Sequence, residues 1–115
     1  MKIAIIVREE TMQRCSCSGC MSAFFARKDS FACYGGMPNV ELVSFTHNGG
    51  DLEKKIATLV KNSVDVVHLS SCMRAKDPGY AELARRLSQH FAVVGYTHGE
   101  ENGKSGPAII LDRES

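Results

Sequence analysis

At 115 residues, the chain has the length of one domain with room for a hydrophobic core. Its apolar fraction of 43% is ordinary for a globular protein, and its net charge of +1 gives no sign of a nucleic-acid-binding surface. No apolar stretch approaches the roughly 20 residues that span a bilayer, and no secretory signal precedes the first apolar run. We therefore expect a cytoplasmic protein with neither membrane nor nucleic-acid partners; the sequence does not indicate an oligomeric state.

Strand and helix patterns alternate through the first half of the chain. A continuous apolar run predicts a buried parallel strand over residues 2–7. The polar stretch 8–18 predicts a long loop, and apolar side chains at helical spacing predict a helix after Gly19. A second strand is predicted over residues 40–45, after a turn marked by glycines and a proline.

The same alternation continues in the second half. Asp51 is expected to cap a helix, and residues 64–70 have the composition of a third strand. The dipeptide Asp77–Pro78 predicts the start of the next helix, with the aspartate as cap and the proline in the first helical position. A fourth strand is predicted over residues 92–96, and the apolar segment 108–111 is a candidate edge strand.

Strands that alternate with helices predict an α/β fold with right-handed crossovers. We expect a three-layer sandwich around a mostly parallel sheet of four to five strands, in the flavodoxin-like order 2-1-3-4. One domain is expected over residues 1–115, with a polar tail from about residue 99. In such a sheet, ligands bind beyond the carboxyl ends of the strands, where the strand order reverses between strands 1 and 3.

Three cysteines, Cys15, Cys17 and Cys20, lie within six residues after the first strand. In a reducing cytoplasm, clustered cysteines indicate a metal-binding or redox site, because structural disulfides are rare there. The total of five cysteines is odd, which also fits a disulfide framework poorly. Thiolates are both soft metal ligands and nucleophiles, so the cluster alone leaves the two chemistries open.

Each of the other predicted strands is followed by a cysteine or a histidine. His47 follows strand 2, Cys72 follows strand 3 and His98 follows strand 4. Because parallel strands end at the same edge of a sheet, we expect these side chains to converge with the cysteine cluster. The candidate metal ligands are Cys15, Cys17, Cys20, His47, Cys72 and His98. Mixed Cys/His coordination suits zinc, whereas the common tight cysteine spacings of iron–sulfur clusters are absent.

One further cysteine, Cys33, and one further histidine, His68, are interpreted as structural residues and not as metal ligands. Cys33 lies beyond the first predicted helix and is interpreted as a small hydrophobic residue. His68 lies inside the third strand and is interpreted as a hydrogen-bonded core residue.

Cys20 falls near the start of the first predicted helix, where the dipole is expected to lower the pKa of its thiol. A lowered pKa suits nucleophilic attack as well as metal ligation. One alternative function is therefore a thiol redox enzyme that uses Cys17 and Cys20, or Cys20 with Cys72. A second alternative is a small-anion or nucleotide-binding module at the switch point, although neither a Gly-x-Gly-x-x-Gly nor a Walker loop is present.

Several segments together resemble the CGGC-domain family, and the resemblance extends from about Lys2 to His98. The matching segments are 2–6, the cysteine cluster with residues 21–24, 40–46, the His-Leu-Ser-Ser-Cys-Met stretch 68–73, and 95–98. The resemblance implies an α/β domain that binds metal, with zinc expected. It matches Cys15, Cys20, Cys72 and His98 to cysteines and a histidine of the family.

The chain departs from the family at the motif that names it. Where Cys-Gly-Gly-Cys is expected, the sequence is His-Asn-Gly-Gly at residues 47–50. One family cysteine is replaced by another potential ligand and the second is lost. Cys17 is a possible partial replacement for the lost thiols.

Overall fold

The computed structural model describes residues 1–103 and 106–114. Its main sheet has five strands in the order β2-β1-β3-β4-β7, where the first four are parallel and β7 runs antiparallel to β4. The strands of the chain are β1 (Lys2–Val7), β2 (Glu41–His47), β3 (Val66–Leu69), β4 (Ala92–Val94), β5 (Asn102–Gly103), β6 (Gly106–Pro107) and β7 (Ile110–Leu111). The predicted α/β class, the strand order 2-1-3-4 and the edge strand near residues 108–111 are confirmed.

Helices connect the strands and cover both faces of the sheet. They are α1 (Glu9–Met12), α2 (Ser18–Ala26), a 3₁₀ helix (Asp29–Tyr34), α3 (Leu52–Lys61), α4 (Ser71–Lys76) and α5 (Tyr80–Ser88). The Asp51 carboxylate accepts a hydrogen bond from the Lys54 N–H at 3.0 Å, which confirms the predicted cap of α3. No helix of the described residues is long and apolar enough to cross a membrane.

Two hydrophobic clusters lie on opposite faces of the sheet, because successive side chains of β1 point to opposite sides. Ala4 and Ile6 pack in the cluster that includes buried residues of α3, α4 and α5. Ile3, Ile5 and Val7 pack in the cluster that includes α2 and the 3₁₀ helix. The predicted three-layer arrangement follows from this division.

The register between β1 and β2 shifts once. Ile3 pairs with Leu42 and Ala4 pairs with Ser44, so Val43 is the extra residue of a bulge. β2 is the outer strand on its side of the sheet.

Two local predictions were wrong. The segment 8–18 is not entirely a loop, since it contains the short helix α1. The helix predicted to start at Pro78 starts at Tyr80, because Asp77 ends α4 instead of capping α5. The Asp77 carboxylate accepts from the Gly79 N–H at 2.8 Å, which closes a turn around the proline before α5 begins.

The side chains of Arg74 and Tyr80 hold the segment after residue 99 to the domain, in addition to the pairing of β7 with β4. The Arg74 guanidinium donates to the carbonyls of Glu100 and Glu101, both at 2.9 Å. The Tyr80 hydroxyl donates to the Gly95 carbonyl at 2.6 Å and accepts from the Ile109 N–H at 3.0 Å. Gly95 is required here, because a Cβ at this position would collide with the Tyr80 hydroxyl and the backbone of Ile109.

Candidate metal centre

A small cavity lies beyond the carboxyl end of β1, between α1, the start of α2 and the segments that follow β3 and β4. Its volume is about 60 Å³. Five of the six candidate ligands line it: Cys15, Cys17, Cys20, Cys72 and His98. The cysteine cluster therefore meets the segments that follow β3 and β4, as expected for residues that follow the strand ends of a parallel sheet.

The cysteine cluster is folded by α1 and by a left-handed turn. The Cys15 N–H donates to the Thr11 carbonyl at 2.8 Å, which ties the cluster to α1. The Cys17 N–H donates to the Cys15 sulfur at 3.3 Å. Cys17 itself has φ 62°, a left-handed conformation that costs a non-glycine residue about 1 kcal/mol. Burial, together with the charge of Cys15 and its hydrogen bond, raises the pKa of the Cys17 thiol.

Cys20 is the most enclosed thiol of the cavity, with 5% of its surface exposed. It lies in the first turn of α2, but the prediction of a lowered pKa was wrong. Burial raises the pKa of this thiol to about 11, and the nearby Cys72, Cys17 and Cys15 add to the increase. A hydrogen bond with the Thr97 hydroxyl at 3.1 Å acts in the opposite direction. A coordinated divalent cation would deprotonate such a thiol outright, so the raised pKa is compatible with metal ligation.

Cys72 and His98 are held by a pair of hydroxyl residues. The Ser71 N–H donates to the Thr97 hydroxyl and the Thr97 N–H donates to the Ser71 hydroxyl, both at 3.3 Å. The Ser71 hydroxyl also accepts from the His98 N–H at 3.2 Å and donates to the His98 carbonyl at 2.6 Å. The start of α4 is thereby fastened to the segment after β4, and the two candidate ligands lie next to this contact.

Gly19 leaves room for the His98 imidazole. A Cβ on Gly19 would lie 3.3 Å from the ring Cδ2 and 3.5 Å from Nε2. The histidine ring therefore packs against the backbone at the start of α2, one residue before Cys20.

His47 does not line this cavity. Its Nδ1 accepts from the Gly49 N–H at 3.0 Å and lies 3.4 Å from the Lys55 ammonium and 3.8 Å from the Glu9 carboxylate. The Lys55 ammonium also donates to the carbonyls of His47 and Gly49, both at 2.8 Å. The loop after β2 is thus held by a lysine and kept apart from the cysteines.

His68 and Cys33, which the sequence analysis left out of the site, lie outside the cavity. His68 is fully buried, and its ring nitrogens face the Tyr34 hydroxyl at 2.8 Å and the Ser30 hydroxyl at 3.1 Å. The interpretation of His68 as a hydrogen-bonded core residue is confirmed. The interpretation of Cys33 as a small hydrophobic residue was wrong, because Cys33 is exposed; its thiol donates to the Ser30 carbonyl at 3.4 Å.

The donor set suits a borderline metal such as zinc, since it combines several thiols with an imidazole around one small cavity. Within residues 1–103 and 106–114, however, no three His, Cys, Asp or Glu side chains stand close enough together to hold a metal ion as they are placed. All five cysteines are free thiols. Metal binding therefore requires the sulfur atoms to draw together from their positions along the cavity wall.

Sequence reasoning did not single out Thr97, which contacts Cys20 and supports Ser71. A signal was present, since a hydroxyl residue directly precedes a candidate ligand at both strand ends: Ser71 before Cys72, and Thr97 before His98. This repeated pair would have indicated side chains that support the ligands.

Fold and site together define a small α/β protein with a thiol-rich cavity at the carboxyl edge of a parallel sheet. The CGGC domain family model matches residues 2–98, and the chain therefore belongs to the CGGC-domain family. Membership associates the chain with metal binding in general. Neither the curated proteins nor the solved structures gave a match.

Proposed function

We propose that this chain is a cytoplasmic zinc-binding protein. The ligands are Cys20, Cys72 and His98, with Cys15 or Cys17 as the fourth. The observation that carries the proposal is the meeting of all five residues at one cavity of about 60 Å³, although they come from three separate segments. Four protein ligands would close the coordination sphere, as in structural zinc sites. Bound zinc would then fasten the cysteine cluster to the segments that follow β3 and β4.

His47 has no part in this site. The glycines of the family motif can also be matched with Gly49 and Gly50, which places Asn48 and Asp51 at the cysteine positions. Asn48 bonds the Asp77 carboxylate at 2.8 Å and accepts from the Glu9 N–H at 3.0 Å, while Asp51 caps α3. In either register, the residues at the lost cysteine positions make contacts outside the cavity, so the proposed site relies on the remaining thiols.

Zinc content of purified protein tests the proposal. Wild-type protein prepared under reducing conditions is expected to hold one zinc ion per chain, measured by elemental analysis. Cys72→Ser should lower both the zinc content and the Tm, because metal that binds the folded state stabilises it by mass action. Cys33→Ser is the matched control, since Cys33 is exposed and lies outside the cavity. Wild-type protein that takes up no zinc at micromolar free metal, with all five thiols reduced, would overturn the proposal.

The thiol redox alternative has less support. Thiolate attack requires a low pKa and access, whereas Cys20 is 5% exposed and burial raises its pKa to about 11. Metal-free protein that readily forms a disulfide between Cys20 and Cys17 or Cys72 would favour this alternative.

The anion-binding alternative also has less support. The polar cleft beside the switch point, of about 340 Å³, is lined by Glu9, Glu10 and Asp77 as well as Arg8. The Arg8 guanidinium is already paired with Glu10 at 2.6 Å. The excess of carboxylates would repel a phosphate group.

A further inference from the structure

Two fully buried hydroxyl groups each contact a cysteine sulfur of the cavity. The Thr97 Oγ1 lies 3.1 Å from the Cys20 sulfur, and the Ser70 Oγ lies 2.9 Å from the Cys72 sulfur. Thr97 and Ser70 both have no solvent exposure. The two contacts come from different strand ends, since Ser70 follows β3 and Thr97 follows β4.

In each of these contacts either the hydroxyl or the thiol can donate, but a thiolate can only accept, so ligation would make each hydroxyl the donor. The Thr97 oxygen accepts the Ser71 N–H at 3.3 Å, and the Ser70 oxygen accepts the Met73 N–H at 3.3 Å. An oxygen whose lone pair is used by an N–H keeps its own O–H free to donate. For Ser70 the sulfur is 2.9 Å away. For Thr97 no other hydrogen bond of the hydroxyl is found within the described residues.

A buried hydroxyl group commonly donates to a backbone carbonyl of its own helix, and Ser88 is an example. Ser88 is 5% exposed, and its hydroxyl donates to the Arg85 carbonyl of its own helix at 2.7 Å. The Ser70 and Thr97 hydroxyl groups instead contact the sulfur atoms of two cysteines that line the same cavity.

The net charge of a zinc site at this cavity would be offset by hydrogen bonds to the sulfur atoms. Three thiolates and a neutral imidazole around Zn²⁺ leave a net charge of −1, which is costly in a partly buried site. Arg8 lines the cavity, but its guanidinium is paired with Glu10 at 2.6 Å. Hydrogen bonds donated to the sulfur atoms would spread this charge.

We infer that Thr97 and Ser70 are positioning residues of the metal site, which donate hydroxyl hydrogen bonds to the Cys20 and Cys72 thiolates and thereby set the affinity for the metal. The inference rests on the proposed zinc function and adds to it the residues outside the ligand set. Such supporting hydrogen bonds typically change metal affinity by about 10- to 100-fold.

Isosteric substitutions separate this role from packing. Thr97→Val removes the hydroxyl with little change of shape, and Thr97→Ser restores it. Ser70→Ala and Ser70→Thr form the second pair, and Ser88→Ala is the control for loss of a buried hydroxyl elsewhere. Zinc affinity is measured by competition with a chromophoric chelator. Cobalt(II) is the spectroscopic probe, because its thiolate-to-metal charge-transfer band reports the electron density on sulfur.

Thr97→Val and Ser70→Ala are each expected to weaken zinc binding about 10-fold or more. Their cobalt band should move to longer wavelength, because a sulfur that has lost a hydrogen bond is a better electron donor. Thr97→Ser and Ser70→Thr should restore both properties, and Ser88→Ala should change neither. A purely structural role would lower stability without moving the cobalt band.

The outcomes distinguish this inference from the proposed function. Wild-type affinity and an unmoved cobalt band in both Thr97→Val and Ser70→Ala would overturn the inference and leave the zinc site in place. If Thr97→Val does not fold, the Ser70 pair decides by the same two measurements. A wild-type chain that binds neither zinc nor cobalt would overturn the proposed function, and the inference with it.

Discussion

Acid should destabilise this protein through one buried imidazole. His68 is fully buried, its ring stacks on Phe31 with centroids 4.2 Å apart, and both ring nitrogens face hydroxyl groups. Burial lowers the pKa of His68 from its ordinary value of 6.5 to about 4. The unfolded chain therefore binds a proton at this histidine at a higher pH than the folded chain does.

The sign and size of the effect follow from this difference. Because the folded-state pKa is the lower one, the stabilisation is fully present above pH 6.5 and is lost as the pH falls toward 4. Proton linkage gives a loss of about 2 kcal/mol by pH 5 and about 3 kcal/mol by pH 4. Losses of this size are a large part of the roughly 5–15 kcal/mol that stabilises a typical domain.

Urea unfolding of wild type and His68→Gln, with a chelator present, measures this contribution. The glutamine keeps polar groups in the core but does not titrate in this range. Each protein is followed from pH 7.5 to pH 4, and the comparison of the two pH profiles removes every contribution that they share. The wild type should lose about 2 kcal/mol more than the variant by pH 5. Parallel pH profiles for the two proteins would refute the assignment of His68 as a buried neutral imidazole.

Three further predictions concern packing and loop attachment. Phe31→Ala should cost about 3–5 kcal/mol of unfolding free energy, because this fully buried ring contacts Phe24 and His68. Gly95→Ala should destabilise the chain and increase amide hydrogen exchange at Ile109 N–H, since the added Cβ would displace the Tyr80 hydroxyl. Lys55→Met should cost about 1–2 kcal/mol and broaden the NMR signals of residues 47–50, because it removes two charge-assisted hydrogen bonds.

Controls for the Phe31 and Lys55 variants are available in the chain. Phe25→Ala removes a ring that is 69% exposed and should cost little. Lys54→Met leaves the loop contacts of Lys55 intact and should not broaden the loop signals. Unchanged exchange at Ile109 in Gly95→Ala would show that the space around Gly95 adapts without releasing the segment.

The sheet was predictable from the sequence, whereas short elements were not. The buried strand runs and the intervening helical stripes are long enough to carry periodicity, so their alternation predicted a parallel sheet. The order 2-1-3-4 was the simplest doubly wound arrangement, and the structure has it. The helices α1 and α4 span four and six residues, which is too short for an apolar stripe to be recognised. The start of α5 was misplaced for the same reason, because Asp77 was already used to end the unrecognised α4.

Residue order along the chain indicated which residues lie near the strand ends, but tertiary contacts decide what surrounds them. Five of the six candidate ligands line one cavity because parallel strands end at a shared edge. His47 points elsewhere because of its contacts with Gly49 and Lys55, and these depend on the loop path. The raised pKa of Cys20 likewise depends on its burial, which neighbours in sequence do not reveal.

The two edges of the sheet differ in how they resist pairing with another chain. β2 is an outer strand that carries a bulge at Val43 and an exposed Glu41, and both features disfavour the docking of a foreign strand. On the other side, β4 is wholly apolar, and among the described residues it pairs there with Ile110 and Leu111 of β7. These two residues cover the edge of β4. Displacing them would leave the N–H and C=O groups of a Val-rich strand free to pair with another chain and to start aggregation.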